Sequence, residues 1–340
     1  MERIVRHLPV FGRESILKVR HRRYVCANCG ASFNPPLPGI APGKQSSEPF
    51  REHIAKHHHE GIPGEAMARI AKVGCATVER LYAHYNRRKA AERISAQCPM
   101  VLGIDEHTLH KKQRFATTLC DLRNHKVFDV IPGKSAKDLE TYFSRLQGRE
   151  KVKVVCIDLS SSYRSIIQRW FPNARIVADR FHVVRIILHH FITLCRDIMG
   201  DYASKTKACT LLRTNPENLS ARGRLRLEAL FIEFPALKPI YDEIRKLHAL
   251  MSKKSQTKRQ CRKLTKRLLR AIERLEASCF ASFVTLADTL RTWAGPIACM
   301  WRSTKNNGIT EGFHRKMKLI QRRAYGFKNF DNYRLRVIAH

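Results

Sequence analysis

Three acidic residues sit in settings that suit metal-assisted chemistry at a phosphodiester: Asp105 within Val101–His107, Asp158 within Val154–Ser160, and Glu311 within Asn306–His314. In-line displacement at phosphorus needs an activated oxygen nucleophile and relief of charge on the leaving oxygen, and two divalent ions ~3.5–4 Å apart serve both ends. Mg²⁺ or Mn²⁺ takes hard oxygen ligands, and Mg²⁺ keeps part of its water, so a few carboxylates on rigid elements suffice. Without the ion, the same carboxylates repel one another and a pKa rises.

These acids belong to a basic chain. Its 340 residues include 64 Lys plus Arg against 29 Asp plus Glu, a formal net charge of +35. A field of that sign draws polyanions. A membrane surface fits poorly, because no run of ~20 apolar residues occurs and Arg3, Arg6 and Pro9 break the N-terminus too early for a secretory signal. Nucleic acid is the partner that the charge favours. The eleven cysteines are an odd number, mostly scattered singly in apolar segments, which predicts reduced thiols and a cytoplasmic location.

The elements that must position the acids follow from composition and period. Residues 1–45 read as a partial zinc-finger module and a Pro/Gly-rich linker. Cys26 and Cys29, followed by Gly30, have the spacing at which two thiolates ligate one tetrahedral Zn²⁺. Half a site is visible, with His7, His21, His53 and His57 to His59 as other donors, and two unliganded thiols in a loop is the competing reading. The triple His reads as a solvated helix face.

Residues 46–96 are patterned as a helix-turn-helix. Gly74 falls in the turn, Thr77 caps the second helix, and Val78, Leu81, Tyr82 and Tyr85 form its apolar face. Glu79, Arg80 and His84 are then left for a major groove. Ordinary helical proteins share the pattern, so the basic context carries the DNA-binding reading.

Residues 97–195 change to alternating strands and helices, an α/β sheet. Strands are expected at Val101–Asp105, Phe115–Leu122, Lys126–Ile131, Val152–Asp158 and Ala174–Asp179, with helices at Ser135–Leu146 and Tyr163–Phe171. Val154–Ile157 and Arg175–Ala178 are almost continuously apolar, as parallel strands covered on both faces are. Each is followed by Asp, and ligands bind at the carboxyl ends of such strands. Asp105, Asp158 and Asp179 should therefore project from one edge, while alternation along the chain turns Glu106 away. His182 either orients substrate or protonates a leaving group with Asp179 in support, or is satisfied within the fold.

Residues 196–300 read as a basic helical insertion. Lys253 to Arg274 holds ten Lys/Arg and one acid, Glu273, with Leu264, Leu268, Ile272 and Leu275 on one stripe. Lys254, Lys258, Arg262, Lys266 and Arg270 recur every four residues on another face. Such a helix repels itself unless it meets a polyanion. Residues 301–340 end the chain with a helix at Thr310–Arg323. There Phe313, Met317, Ile320 and Ala324 face inward and Glu311, Arg315, Lys318 and Arg322 share the other side. That outer face is a surface ion-pair ladder or, with the aspartates, part of a catalytic centre.

The order strand, hairpin, helix, strand, helix, strand matches ribonuclease-H-like nucleases. Gly103–His107, Cys156–Tyr163, Ala178–His182 and above all the long stretch Ser303–Phe327 resemble the DDE transposases of bacterial insertion sequences, most closely the ISL-three family. The similarity spans nearly the whole chain. It implies a ribonuclease-H-like mixed sheet core interrupted by an all-helical insertion, with small N-terminal zinc-knuckle and helix-turn-helix modules. It makes Asp105, Asp158 and Glu311 the metal-holding triad and Asp179 to His182 a D-x-x-H element. It implies metal-dependent cleavage at terminal inverted repeats, then attack of the freed 3′-hydroxyl on target DNA, by a bacterial, nucleoid-associated protein that pairs two ends as a homodimer. Members carry a four-cysteine finger whose first pair lies upstream of the equivalent of Cys26, and this chain begins at Met1 with the second pair. Arg315, Lys318 and Arg322 are expected near the cleavage point, and the Lys253–Arg274 helix on flanking DNA. Two rivals share these features: a catalytically inactive or truncated transposase-derived repressor, which binds the ends and cuts nothing, and a structure-selective nuclease or resolvase, which cuts branched DNA without repeats.

Overall fold

The computed structural model describes residues 2–93, 97–110, 114–302, 308–324, 327 and 329–340. The chain divides into two compact units, Met1–Ile94 with Met317–His340, and Ser95–Lys316.

The first unit opens with the antiparallel hairpin β1 (Glu2–Val10) and β2 (Arg13–Arg20). Its tip is Phe11–Gly12, both at positive φ (50° and 75°), the backbone that matches the twist of paired strands. A second, short antiparallel pair, β3 (Tyr24–Val25) and β4 (Ser32–Phe33), brackets Cys26–Gly30. Helices α1 (Glu48–Glu60), α2 (Gly64–Ala71) and α3 (Cys75–Arg93) follow. Phe50 and Ile54 of α1, Met67 and Ala68 of α2 and Val78 of α3 pack into one apolar core. The α2–α3 turn passes through Lys72 in the left-handed region (φ 48°) and Gly74. Thr77 does not cap α3. The helix starts two residues earlier, Gly74 O accepts from Thr77 N (2.8 Å), and Thr77 Oγ1 accepts from Arg80 Nη2 (3.1 Å).

The second unit contains β5 (Val101–His110), β6 (Arg114–Asp121), β7 (Lys126–Pro132), α4 (Ala136–Arg145), β8 (Val154–Ile157), α5 (Ser161–Trp170), β9 (Arg175–Ala178) and α6 (Arg180–Met199). The five strands form one mixed sheet in the order β7-β6-β5-β8-β9; β5 is antiparallel to β6 and parallel to β8, and β8 is parallel to β9. Strand β5 runs five residues past the expected end at Asp105, because Glu106, His107 and Thr108 stay paired with Thr117, Ala116 and Phe115. Asp105 therefore lies in mid-strand rather than at a strand end.

Helices α7 (Asp201–Lys205), α8 (Ala208–Arg213), α9 (Ala221–Glu233), α10 (Leu237–Met251), α11 (Lys258–Glu276), α12 (Ala281–Thr292) and α13 (Ala294–Arg302) make up the insertion. Its apolar side chains and those of the sheet form a single core, from Leu102 and Val155 to Leu268 and Trp301. In α11 the expected stripe is buried, and Lys258, Arg262, Lys266 and Arg270 are exposed. Lys254 departs from that face. Thr257 caps the helix in a capping box with Gln260, so α11 begins at Lys258 and Lys254 precedes it.

Arg180 ties the sheet's edge to the insertion. It is 7% exposed, and its guanidinium donates to Met300 O (3.1 Å) and Ser252 O (3.4 Å). Arg180→Leu would strand the buried Met300 carbonyl, worth ~1–3 kcal/mol when left unpaired in the interior, and would remove the longer bond to Ser252, an exposed residue. Chemical denaturation should show a loss of about 1–3 kcal/mol, and a change within ~0.5 kcal/mol would mean that the two hydrogen bonds carry no weight.

Helices α14 (Gly308–Arg323) and α15 (Phe330–Ala339) close the chain. Phe313 packs on the core of the second unit, and Met317 and Ile320 are buried. In the first unit α15 lies on α3, with the Arg336 guanidinium 4.6 Å from the Tyr82 ring centroid. Among the described residues no helix is long and apolar enough to cross a membrane.

Candidate active site

The register of the sheet brings the aspartates together. Val101 pairs with Val154, and Val154 with Arg175. Asp105, Asp158 and Asp179 each stand four residues further along, so they occupy one row across three parallel neighbours, in the same phase of the pleat. Asp158 follows the last residue of β8, and Asp179 caps α6, its Oδ1 accepting from Phe181 N (3.3 Å).

The electrostatics agree with this convergence. Asp105 is raised to about 6, by burial first and by Asp179 and Asp158 as well, against the lowering pull of His182 and of the Glu106 N–H. Asp158 is raised as well, first by burial, with Glu106 and Asp179 adding to it and His182 opposing. Oδ1 of Asp158 is buried with no hydrogen-bond partner among the described residues. Carboxylates that act on one another's charge, one with an orphaned oxygen, are the donor type that a divalent cation takes. Among the described residues no three His, Cys, Asp or Glu form a group that could hold an ion. The side chain of Glu311, the third member expected from sequence, lies outside the described residues. Its backbone falls on the first turn of α14, three residues ahead of His314.

His182 Nδ1 lies 2.5 Å from Asp179 Oδ2, and Asp179 is only 2% exposed. That bond raises the His182 pKa, burial opposes it, and Asp105 and Asp158 add to the rise. Two further histidines escaped the sequence reading. His314 Nδ1 is 3.7 Å from Asp105 Oδ2 and its Nε2 is 3.2 Å from Thr118 Oγ1, while His107 Nδ1 is 2.9 Å from the same hydroxyl. The signal was present in the spacing: His107 is two residues from Asp105 on a strand, and His314 three from Glu311 on a helix. Glu106 hydrogen-bonds Tyr163 and pairs with Lys134 Nζ at 3.5 Å. It is turned aside as alternation requires, yet remains near enough to raise Asp158.

The cysteine pair forms a tight loop in the first unit. Gly30 N donates to Cys26 O (2.9 Å) and Cys26 N to Ala31 O (2.8 Å). Backbone amides of Cys29 and Asn28 donate to the Cys26 sulfur and lower its pKa, as a thiolate ligand requires. Of the basic residues, Arg80, Arg315, Lys318 and Arg322 are exposed. Arg80 Nε also donates to Ala76 O (3.3 Å) and Arg322 Nε to Lys318 O (3.4 Å).

Residues 102–337 match the family model for ISL3-type DDE transposases, described as "Transposase". Residues 1–29 match the model described as the zinc-finger of transposase IS204/IS1001/IS1096/IS1165. The chain is 28% identical over 356 residues to the transposase for insertion sequence element IS1001 of Bordetella parapertussis, covering 99% of this chain and 84% of that protein. The family match spans all three aspartates of the row, the insertion and α14, and on that extent the chain belongs to the ISL3 family as a DDE-type transposase.

Proposed function

We propose that the protein binds the terminal inverted repeats of its insertion sequence, cleaves the phosphodiester at their ends, and joins the freed 3′-hydroxyl to target DNA. The observation that carries this reading is the shared row of Asp105, Asp158 and Asp179 across β5, β8 and β9, with His314 of α14 at 3.7 Å from Asp105. The strand order β7-β6-β5-β8-β9 supports a ribonuclease-H-like core.

Asp105, Asp158 and Glu311 would hold Mg²⁺ or Mn²⁺. When bound, such ions activate an oxygen nucleophile and neutralise charge on the leaving oxygen. Asp179 fixes the His182 ring through Nδ1, which leaves Nε2 to hand a proton to the departing 3′-oxygen. Water and then the freed hydroxyl use the same carboxylates in turn. Cys26 and Cys29 supply two thiolates to a structural Zn²⁺. Arg80 meets the major groove, Arg315, Lys318 and Arg322 hold backbone phosphates near the cleavage point, and the α11 face holds flanking duplex. Two copies on DNA would bring both ends to one target, and a chain of this charge would stay with the cytoplasmic nucleoid.

The test is Mg²⁺-dependent cutting of a duplex bearing the neighbouring inverted repeat, with wild type, Asp105→Ala, Asp158→Ala and Glu311→Ala compared. Each variant should bind the repeat and fail to cut. Binding without cutting by the wild type would make the protein a repressor, and cutting of branched DNA regardless of repeats would make it a structure-selective nuclease.

A further inference from the structure

A groove of about 790 Å³ starts at Asp158 and follows the first half of α6, passing Phe181, His182, Arg185 and His189 to Arg213 at the end of α8. Phe181, Arg185 and His189 are all exposed and stand at steps of four on one helix face, while Val183, Ile187 and Phe191 are buried on the other. The Phe181 ring is 52% exposed although its backbone is held firmly. Arg180 before it is anchored to Met300 and Ser252, its own N–H is bonded to Asp179, and His182 after it is bonded to Asp179 as well. Arg185 and Arg213 have no hydrogen-bond or ion-pair partner among the described residues.

A rigid, open aromatic ring next to the reacting carboxylates, followed by unpaired cations, has the layout of a seat for single-stranded nucleic acid, in which a base stacks on a ring and phosphates follow a positive path. We infer that Phe181 stacks on an unpaired base adjoining the scissile phosphate, and that Arg185 and Arg213 hold the phosphates of that strand as it leaves the cleft. This rests on the proposed cleavage of DNA and names the form in which the strand enters: separated from its complement at the cut. Inside a closed duplex both faces of a base are covered by its stacked neighbours, so the seat selects frayed over closed duplex.

The full-length protein would be mixed, with Ca²⁺ in place of Mg²⁺, with two repeat-end duplexes, one closed and one with the nucleotides flanking the cut left unpaired. Both would carry 5-iododeoxyuridine in the flank for photo-crosslinking. The wild type should crosslink at Phe181 and bind the unpaired flank about tenfold more tightly than Phe181→Ala does. Phe181→Trp should retain the affinity, and Arg185→Ala with Arg213→Ala should reduce its salt dependence. Equal affinities of wild type and Phe181→Ala for the unpaired flank, or crosslinks elsewhere than Phe181, would overturn the inference. Crosslinking at Phe181 in a protein that cuts nothing in Mg²⁺ would sink the cleavage reading and leave the seat standing. Because Phe181 is half exposed, the alanine variant should melt with the wild type, and the tryptophan variant separates lost stacking from lost fold.

Discussion

Asp105→Asn is expected to abolish cleavage and, in the same protein, to raise the stability of the metal-free form. The first effect follows from removing a charge that holds the cation; losing one well-placed electrostatic interaction at a reacting centre costs ~10²–10³-fold, and a lost metal ligand should cost at least about 10³-fold. The second follows from linkage. Asp105 titrates at about 6 in the fold against 3.8 in the open chain, so between those values the folded state keeps a proton that the unfolded state has released. Folding is penalised progressively as pH rises through that window, and fully above about 6. Two units correspond to about 2–3 kcal/mol, and asparagine, which carries no charge, removes that penalty. Melts in EDTA at pH 7.5 should rank Asp105→Asn above wild type, and the gap should close toward pH 4. Added Mn²⁺ should raise the wild-type midpoint and leave the variant nearly unmoved. A variant that cuts normally would remove Asp105 from the mechanism; one that melts below wild type in EDTA would show that burial and repulsion do not govern this carboxyl.

The same physics explains which parts of the site were legible in the sequence. Short apolar runs ending in Asp at 158 and 179 announced parallel strands, since strands covered on both faces carry little alternation and the first polar residue marks their end. Strand β5 gave no such mark. It is covered by β6 on one side along its whole length, so polar Glu106, His107 and Thr108 remain in the ladder and its end could not be read from composition. The register that aligns the three aspartates is a long-range property of strand pairing, and no local pattern encodes it. His314 and Thr118 meet from helix and strand nearly two hundred positions apart. Thr77 has the residue type of a cap, but α3 already starts at Cys75, with Gly74 O taking the Thr77 N–H. Lys254 shares the four-residue charge period of α11, but that period continues across the Thr257 cap, and only the cap marks where the helix begins.

Reversing the charge of Arg262 and Lys266 together should weaken binding to every duplex by the same factor. Both sit on the exposed side of α11 with Lys258 and Arg270, and none of the four has a hydrogen-bond or ion-pair partner among the described residues. The opposite side of the helix, with Leu264, Leu268 and Ile272, is buried in the core of the second unit. The two substitutions therefore act on the surface field alone, and thermal midpoints should stay within the change of ~0.5 kcal/mol usual for surface sites. Every cation withdrawn from a phosphate takes close to one condensed counterion out of the binding equilibrium, so the slope of log K against log salt should flatten by about 2. At 0.1 M salt the affinity should fall about 10- to 100-fold, because each glutamate also repels the phosphate that the cation once met. Base discrimination should not change, since a helix face of this kind meets backbone and not base edges. Arg80→Ala on α3 is the contrast: it should relax preference at one position of the repeat by ~1–3 kcal/mol and move the salt slope little. If the double reversal leaves affinity and slope where they were, the α11 face is a solvated helix surface and the flanking duplex runs elsewhere.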